Sequence, residues 1–333
     1  MRIVVAPDKF RGSLSALDAA EAMAEAVEAR GWTALKVPMS DGGEGFLEVL
    51  GGANRTSTVT GPLGDPVEAG WRLSRKRAVL EMASASGLAL VGGAEGNEPL
   101  AADTTGVGEL IAAALDAGAR AIVIGMGGSA TTDGGLGALR SLGPVPRLGG
   151  VRLEVACDVR LTFTAAAACF APQKGATTAQ VELLSRRLDR LVELYAESYG
   201  VDVSSLVGSG SAGGLAGGLA ALGATLTEGF ELVADHVGLE VMLEDADAVL
   251  TGEGLCDAAS FEGKVLGGVA GLAASLGLSA GAVVGELDDG LELPPGFEVA
   301  SLVAGVGREA ALGDPARSVT LATERMLDAL LPG

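Results

Sequence analysis

Three sets of loop residues in this chain are suited to handling phosphate. The first is Gly125-Met126-Gly127-Gly128-Ser129-Ala130-Thr131-Thr132-Asp133-Gly134-Gly135, set between the apolar run Ala121–Ile124 and the helix-like run Leu136–Leu142. Glycines let backbone approach an anion, and a helix start offers N–H groups to it. Ser129, Thr131 and Thr132 add hydroxyl donors, and Asp133 suits a metal or a substrate hydroxyl. A tight strand-to-helix turn with an Asp or Thr N-cap explains the same residues equally well, so both readings stay open.

The second set is cationic. The chain has five lysines, and Lys9, Lys174 and Lys264 lie in Ala6-Pro7-Asp8-Lys9-Phe10-Arg11-Gly12-Ser13, Pro172-Gln173-Lys174-Gly175-Ala176 and Glu262-Gly263-Lys264-Val265. Arginine supplies the rest of the positive charge, so lysines beside glycines at strand ends point to compact charges for phosphate. Ordinary loop solvation is the competing account for any one of them.

The third set is acidic. Ser40-Asp41-Gly42-Gly43-Glu44-Gly45 and Thr251-Gly252-Glu253-Gly254-Leu255-Cys256-Asp257 each read as a loop after a strand, and Asp158 ends the run Glu154–Cys157. Mg²⁺ takes one or two carboxylates together with phosphate oxygens and water. Acids near lysines are therefore the parts of a phosphoryl transfer: metal, anion clamp and base. Asp-Gly-Gly alone is also a common turn.

Alternating strands and helices must position these loops. The pattern predicts strands at Ile3–Ala6, Thr33–Pro38, Arg77–Met82, Ala121–Ile124, Leu153–Cys157, Ala248–Thr251, Ala280–Val284 and Val299–Val303. Helices are expected at Leu14–Arg30 (with Ser13 as N-cap), Gly106–Ala117, Ala179–Ser198, Gly213–Leu222, Gly263–Ser275 and Pro315–Leu330. A Gly/Pro-rich hairpin at Thr58–Ala69 marks entry into a second domain. The expected architecture is α/β, with two α/β domains built on mainly parallel sheets. One domain is discontinuous, residues 1–57 plus 240–333, and the other, 58–239, is inserted into it.

The bulk properties narrow the partners. The 333 residues are 48% hydrophobic and carry a formal net charge of -20. That balance argues against nucleic acid and anionic membranes, yet leaves room for small anionic substrates, because nearby charges outweigh a screened surface. No apolar run approaches the ~20 residues of a membrane span. Cys157, Cys169 and Cys256 have no metal-ligand spacing and suit a reducing, cytoplasmic setting. Gly208-Ser209-Gly210-Ser211-Ala212-Gly213 matches G-x-G-x-x-G but lacks a convincing strand before it or ribose acid after it. It reads as a phosphate or carboxylate loop at most, with Gly210 its candidate contact. His236, the single histidine, lies in an apolar-periodic stretch and reads as structural or surface.

Taken in order, these motifs resemble the glycerate kinase family almost end to end. The match includes Pro7-Asp8-Lys9-Phe10-Arg11-Gly12-Ser13, Asp41-Gly42-Gly43-Glu44-Gly45, Glu81-Met82-Ala83-Ser84-Ala85-Ser86-Gly87, Gly127–Gly135, Ala156-Cys157-Asp158-Val159, Pro172–Ala176 and Thr251-Gly252-Glu253-Gly254. The resemblance implies transfer of the ATP γ-phosphate to D-glycerate with Mg²⁺; the partners expected are these small molecules, with the chain a monomer or homodimer. It also implies a flavodoxin-like domain, a second α/β domain and a cleft between them. From the chemistry of the matched motifs, Asp8, Lys9, Asp41 and Lys174 are expected to be catalytic, with Asp41 a candidate base. Ser13, Glu44, Gly127, Gly128, Ser129, Thr132, Asp133, Gly210 and Lys264 are expected to bind substrate or phosphate. Asp158, Glu253 and Asp257 are expected to hold the metal.

The chain also departs from the family pattern. Arg160-Leu161-Thr162-Phe163-Thr164 replaces an Asn-Pro-Leu segment, and Leu255 and Cys256 stand where Arg-Leu is usual. Ala259 replaces a Gln, and the segment Gly143–Arg152 is short. A missing arginine in a phosphate site removes roughly 10²-fold or more in rate, and Arg160 is a candidate replacement. A catalytically weak relative that binds a sugar acid or nucleotide, and a kinase for another small hydroxy acid, are therefore the competing readings.

Overall fold

The computed structural model describes residues 1–143 and 148–331, so the short segment after Gly143 lies mostly outside the described residues. The chain divides into two compact units, Met1–Asp41 with Phe230–Gly333, and Gly42–Gly229.

The first unit is a five-stranded sheet in the order Phe297–Ser301, Ser279–Leu287, Ala248–Cys256, Arg2–Val5, Thr33–Lys36. All its pairings are parallel. Counted along this unit alone, the order is 2-1-3-4-5, the flavodoxin-like doubly wound arrangement. The strand order reverses between Arg2–Val5 and Ala248–Cys256. Ligands of such sheets bind outside the carboxyl ends of the strands at that reversal.

Helices cover the sheet because their apolar residues recur every three or four positions. In Ala16–Glu28, Ala19, Ala20, Met23 and Val27 are buried against Ile3, Val5, Val319 and Met326. Each such fully buried large side chain contributes ~1.5–3 kcal/mol. Pro315–Leu330 begins where Asp314 accepts from the Arg317 N–H at 3.2 Å and proline fills the first turn.

The second unit is a six-stranded sheet in the order Arg55–Thr60, Pro66–Ser74, Arg77–Glu81, Ala121–Gly125, Arg152–Cys157, Thr225–Glu228. The first two pairings are antiparallel and the other three parallel. Leu80, Ile122, Ile124 and Val155 form its core with residues of the helices Thr105–Asp116, Leu136–Leu142 and Leu215–Ala221. A further cluster around Phe163, Leu184, Leu188 and Tyr195 seats the helix Thr178–Tyr199. A Thr177/Gln180 capping box starts that helix and Gly200, at φ 72°, ends it.

Several elements differ from the sequence expectation. The first helix starts at Ala16 and is capped by Ser15, whose hydroxyl accepts from the Asp18 N–H at 3.1 Å. Ser13 is drawn instead into a turn closed by reciprocal Phe10–Leu14 backbone bonds, and its hydroxyl donates to the Phe10 carbonyl. The strand expected at Val299–Val303 runs Phe297–Ser301, because the Ser301 hydroxyl accepts from Ala304 and starts a helix, Leu302–Val306. The acidic segment 251–256 is strand, where a loop was expected. Neighbouring strands supply its backbone partners, and the glycines are needed for contact: a Cβ on Gly252 would lie 2.3 Å from the Val283 carbonyl oxygen. No strand precedes Gly208; residues 201–207 are irregular. Among the described residues no helix is long and apolar enough to cross a membrane.

Candidate active site

At the strand-order reversal of the first unit, Asp8 and Lys9 leave the end of Arg2–Val5. The Ala6 and Asp8 N–H groups donate to the Leu250 and Gly252 carbonyls, and the Thr251 hydroxyl donates to the Ala6 carbonyl at 2.8 Å. These bonds extend the sheet by two residues and hold the Asp8 side chain inside. Asp41 follows the edge strand Thr33–Lys36, brought alongside by a Met39 N–H to Pro7 carbonyl bond.

Lys9 Nζ lies 3.7 Å from Asp8 Oδ1 and 3.6 Å from Asp41 Oδ1. Asp8 is 6% exposed. Burial and the Asp41 charge push its pKa up from 3.8 to about 7, against the opposing pull of Lys9. Glu253, also buried, has its pKa raised by desolvation first, with Lys264 opposing and Asp257 and Asp41 reinforcing. Its Oε1 is buried without a hydrogen-bond partner. These groups line one cavity of about 410 Å³ with Ser13, Asp257 and Lys264. Asp257 also closes a capping box with Ser260, accepting from its N–H at 3.1 Å.

The same cavity brings in residues the sequence reading passed over. Arg11, Glu286 and Arg308 line it, and Arg308 is ion-paired with Glu286. Glu286 sits opposite Leu255 in the sheet. A Gly-Glu pair near a strand end, Gly285-Glu286, repeats Gly252-Glu253 and was the available signal; Arg308 had none. Leu255 is half exposed on the cavity wall, whereas Cys256 is buried, its thiol pKa pushed up to about 11 by burial. Ala259 is exposed in a short turn.

The second unit holds the other predicted residues. Gly127 packs so tightly on the Gly42–Gly45 loop that a Cβ there would lie 2.4 Å from Gly43 Cα. Glu44 is exposed, and the Gly45 N–H donates to Glu81 at 3.0 Å. Gly128 is exposed and Ser129 half-buried, forming the accessible tip of the loop. The helix start beyond it is not available to an anion. Asp133 accepts from the N–H groups of Gly135 and Gly137 and from both the N–H and hydroxyl of Thr104, at 2.8–3.1 Å. The Ala138 N–H donates to the Thr104 hydroxyl. The N-cap is Gly135, not the Asp or Thr of the competing reading; Asp133, two residues earlier, ties the turn together, and the helix N–H groups expected to be free are satisfied internally. Thr104 was missed because nothing in its local sequence shows a partner 29 residues away.

Thr132 is buried, as is Lys174, 4% exposed, whose Nζ donates to the Ser129 hydroxyl at 2.8 Å and the Thr131 carbonyl at 2.7 Å. Burial lowers the Lys174 pKa to about 8, with Asp158 and Asp133 opposing. Of the three expected metal ligands, Asp158 therefore belongs to this unit and Glu253 and Asp257 to the other. The Gly210 N–H donates to the Leu161 carbonyl, and a Cβ on Gly210 would lie 2.5 Å from the Thr162 carbonyl oxygen. That glycine serves close packing. Arg160 is exposed and paired with Glu228 at 2.6 Å. His236 is exposed.

A doubly wound parallel sheet with buried acid and lysine at its reversal point, joined in one chain to a glycine-hydroxyl loop, defines an α/β enzyme built for anionic small molecules. The glycerate kinase family model matches residues 3–145 and 144–330. The chain is 39% identical over 329 residues to the glycerate 2-kinase of Escherichia coli, spanning 87% of this chain and 86% of that one. It is 39% identical over 315 residues to a glycerate kinase of Bacillus subtilis, spanning 83% and 82%. A crystal structure from Salmonella typhimurium LT2, assigned as a glycerate kinase 2, superposes with a TM-score of 0.82 at 37% identity, over 99% of this chain and 98% of that one. The chain belongs to the glycerate kinase family, and it is an enzyme.

Proposed function

We propose that this enzyme transfers the γ-phosphate of ATP to the 2-hydroxyl of D-glycerate, with Mg²⁺. Asp8 carries the reading. A buried carboxylate whose pKa sits near 7 is matched to accept the hydroxyl proton at neutral pH. Asp8 takes up that proton on a carboxylate oxygen, which makes it the base in place of Asp41. Lys9, between the two acids, offsets negative charge as the phosphoryl group moves. Arg11 and Lys264 add positive charge at the hydroxy-acid cavity, and Ser13 adds a hydroxyl. In the other unit the Gly127–Ser129 tip binds nucleotide phosphates, with Thr132 and Asp133 supporting its shape.

Hard carboxylate oxygens beside lysines suit Mg²⁺. Among the described residues no group of three or more His, Cys, Asp or Glu side chains gathers as a metal centre. The ion would therefore take one or two carboxylates, Glu253 with its unpartnered oxygen first and Asp41 or Asp257 second, and complete its shell with phosphate and water. When bound, it neutralises phosphate charge.

The test is ADP release with ATP, Mg²⁺ and D-glycerate, with NMR of the product. Formation of 2-phosphoglycerate supports the reading; 3-phosphoglycerate refutes the regiochemistry. ATP binding without turnover would instead favour a weak relative in which Leu255 on the cavity wall leaves the anion short of a cation.

A further inference from the structure

Two nearly buried side chains grip the loop tip from behind, and neither gains anything from solvent. Lys174 reaches it from the turn Pro172–Lys174 and holds both Ser129 and Thr131. Asn97, 8% exposed, donates from Nδ2 to the Ala130 carbonyl at 3.0 Å and to the Lys174 carbonyl at 2.8 Å. Three consecutive residues, Ser129 to Thr131, are thus fixed by one ammonium and one amide. The Ala130 N–H is fixed as well, donating to the Ser86 carbonyl at 2.9 Å.

The chemistry of this grip is directional. Because the oxygen of the half-buried Ser129 accepts from the ammonium, its own O–H remains to be donated elsewhere. A cation bonded to a hydroxyl oxygen polarises that O–H and makes it a stronger donor to an anion. Burying an ammonium is unfavourable, and a methionine of similar length would fill the same space without that cost. The charge therefore answers to something beyond packing. The acids whose charges act on the ammonium are Asp158 and Asp133, and the carboxylate of Asp133 already accepts from four donors, two of Thr104 and the N–H groups of Gly135 and Gly137.

We propose that Lys174 and Asn97 are positioning residues for phosphate binding: Lys174 polarises the Ser129 hydroxyl from behind, and Asn97 locks the two segments in the register that permits it. This rests on the reading of the Gly127–Ser129 tip as the nucleotide-phosphate loop. Lys174 then acts through Ser129 and does not itself touch the phosphate.

A double-mutant cycle in the full-length enzyme tests this, read as KM for ATP and kcat for Ser129→Ala, Lys174→Met, the double variant and Asn97→Ala. The expected result is a rise of about tenfold in KM for ATP for Ser129→Ala. Lys174→Met should do at least as much, and the double variant should be no worse than Lys174→Met alone. Asn97→Ala should raise KM for ATP several-fold with kcat changed less. Multiplicative effects of Ser129→Ala and Lys174→Met would overturn the relay, and an unchanged KM in Asn97→Ala would overturn the role of that residue. An unchanged Ser129→Ala would show that the loop reading itself fails. Where Lys174→Met does not fold, the pH dependence serves instead. KM for ATP in the unaltered enzyme should climb above about pH 8, as Lys174 loses its proton, and Ser129→Ala should lose that climb. Its persistence in Ser129→Ala would overturn the relay.

Discussion

Asp8→Asn should make the protein more stable and less active at the same time. The folded pKa of Asp8, about 7, lies above the ordinary 3.8. Below pH 3.8 the carboxyl is protonated in both states and stability is unaffected. Between 3.8 and 7 the unfolded chain ionises and the folded one resists, so stability falls as pH rises. Above 7 the folded protein carries the full cost of a buried charge, about 4 kcal/mol at ~1.36 kcal/mol per pH unit. Asparagine removes that cost. It retains an acceptor for the Lys9 N–H, which Asp8 Oδ1 now receives at 2.7 Å, but loses the attraction of Lys9. The stability advantage of the variant should therefore grow by roughly 2–3 kcal/mol between pH 5 and pH 8. Turnover should fall at least ~10²-fold, and the rise of kcat/KM through pH 7 should vanish. Urea titrations at the two pH values and a pH–rate profile of both proteins measure this. An advantage that does not grow with pH, or a variant that keeps the rise through pH 7, refutes the reasoning.

Neighbouring charges should move that limb in opposite directions. Lys9→Met removes the charge that lowers the Asp8 pKa, so the limb should move upward in pH with a loss of ~10²-fold in kcat. Asp41→Asn removes a charge that raises it, so the limb should move downward, and the Mg²⁺ requirement should weaken; pH–rate profiles at fixed Mg²⁺ report both. Asp133→Ala leaves four donors around the helix turn without their acceptor and should destabilise the protein by ~3 kcal/mol, seen as a lowered urea midpoint. Gly213→Ala would place a Cβ 2.0 Å from the Thr131 carbonyl oxygen at a φ of +65°. It should lower stability by ~1–3 kcal/mol and raise KM for ATP, since the displaced residue belongs to the loop.

Much of the scaffold was legible because its signals are local. Pro315–Leu330 and Leu136–Leu142 have the bounds their periodicity and flanking residues predict, and the hairpin turning on Gly61–Asp65 pairs as its alternation implies. The continuation of Ala248–Cys256 through Gly252-Glu253-Gly254 was hidden, because glycine is read as punctuation and only the flanking strands show that it is there for clearance. Asp8, Lys9 and Asp41 could be listed from their motifs. Their mutual distances, and the burial that moves Asp8 toward pH 7, arise from bonds to Leu250 and Gly252, far along the chain. Asn97 and Thr104 are ordinary residues in sequence; only their partners, 33 and 29 residues or more away, give them a purpose.

The place of Arg2–Val5 within its sheet has a consequence for how the chain is made. That strand pairs on one side with Thr33–Lys36, available at once, and on the other with Ala248–Cys256. At roughly 5–20 residues per second, a ribosome takes on the order of 10–40 s to supply the second neighbour. In that interval the Gly42–Gly229 unit acquires all its own strands, while Ile3, Val4 and Val5, completely buried in the finished protein, keep one flank open. Until Ala248–Cys256 is made, Arg2–Val5 is thus a half-paired apolar edge open to wrong pairing, and the closing of that edge waits on a strand synthesised long after it.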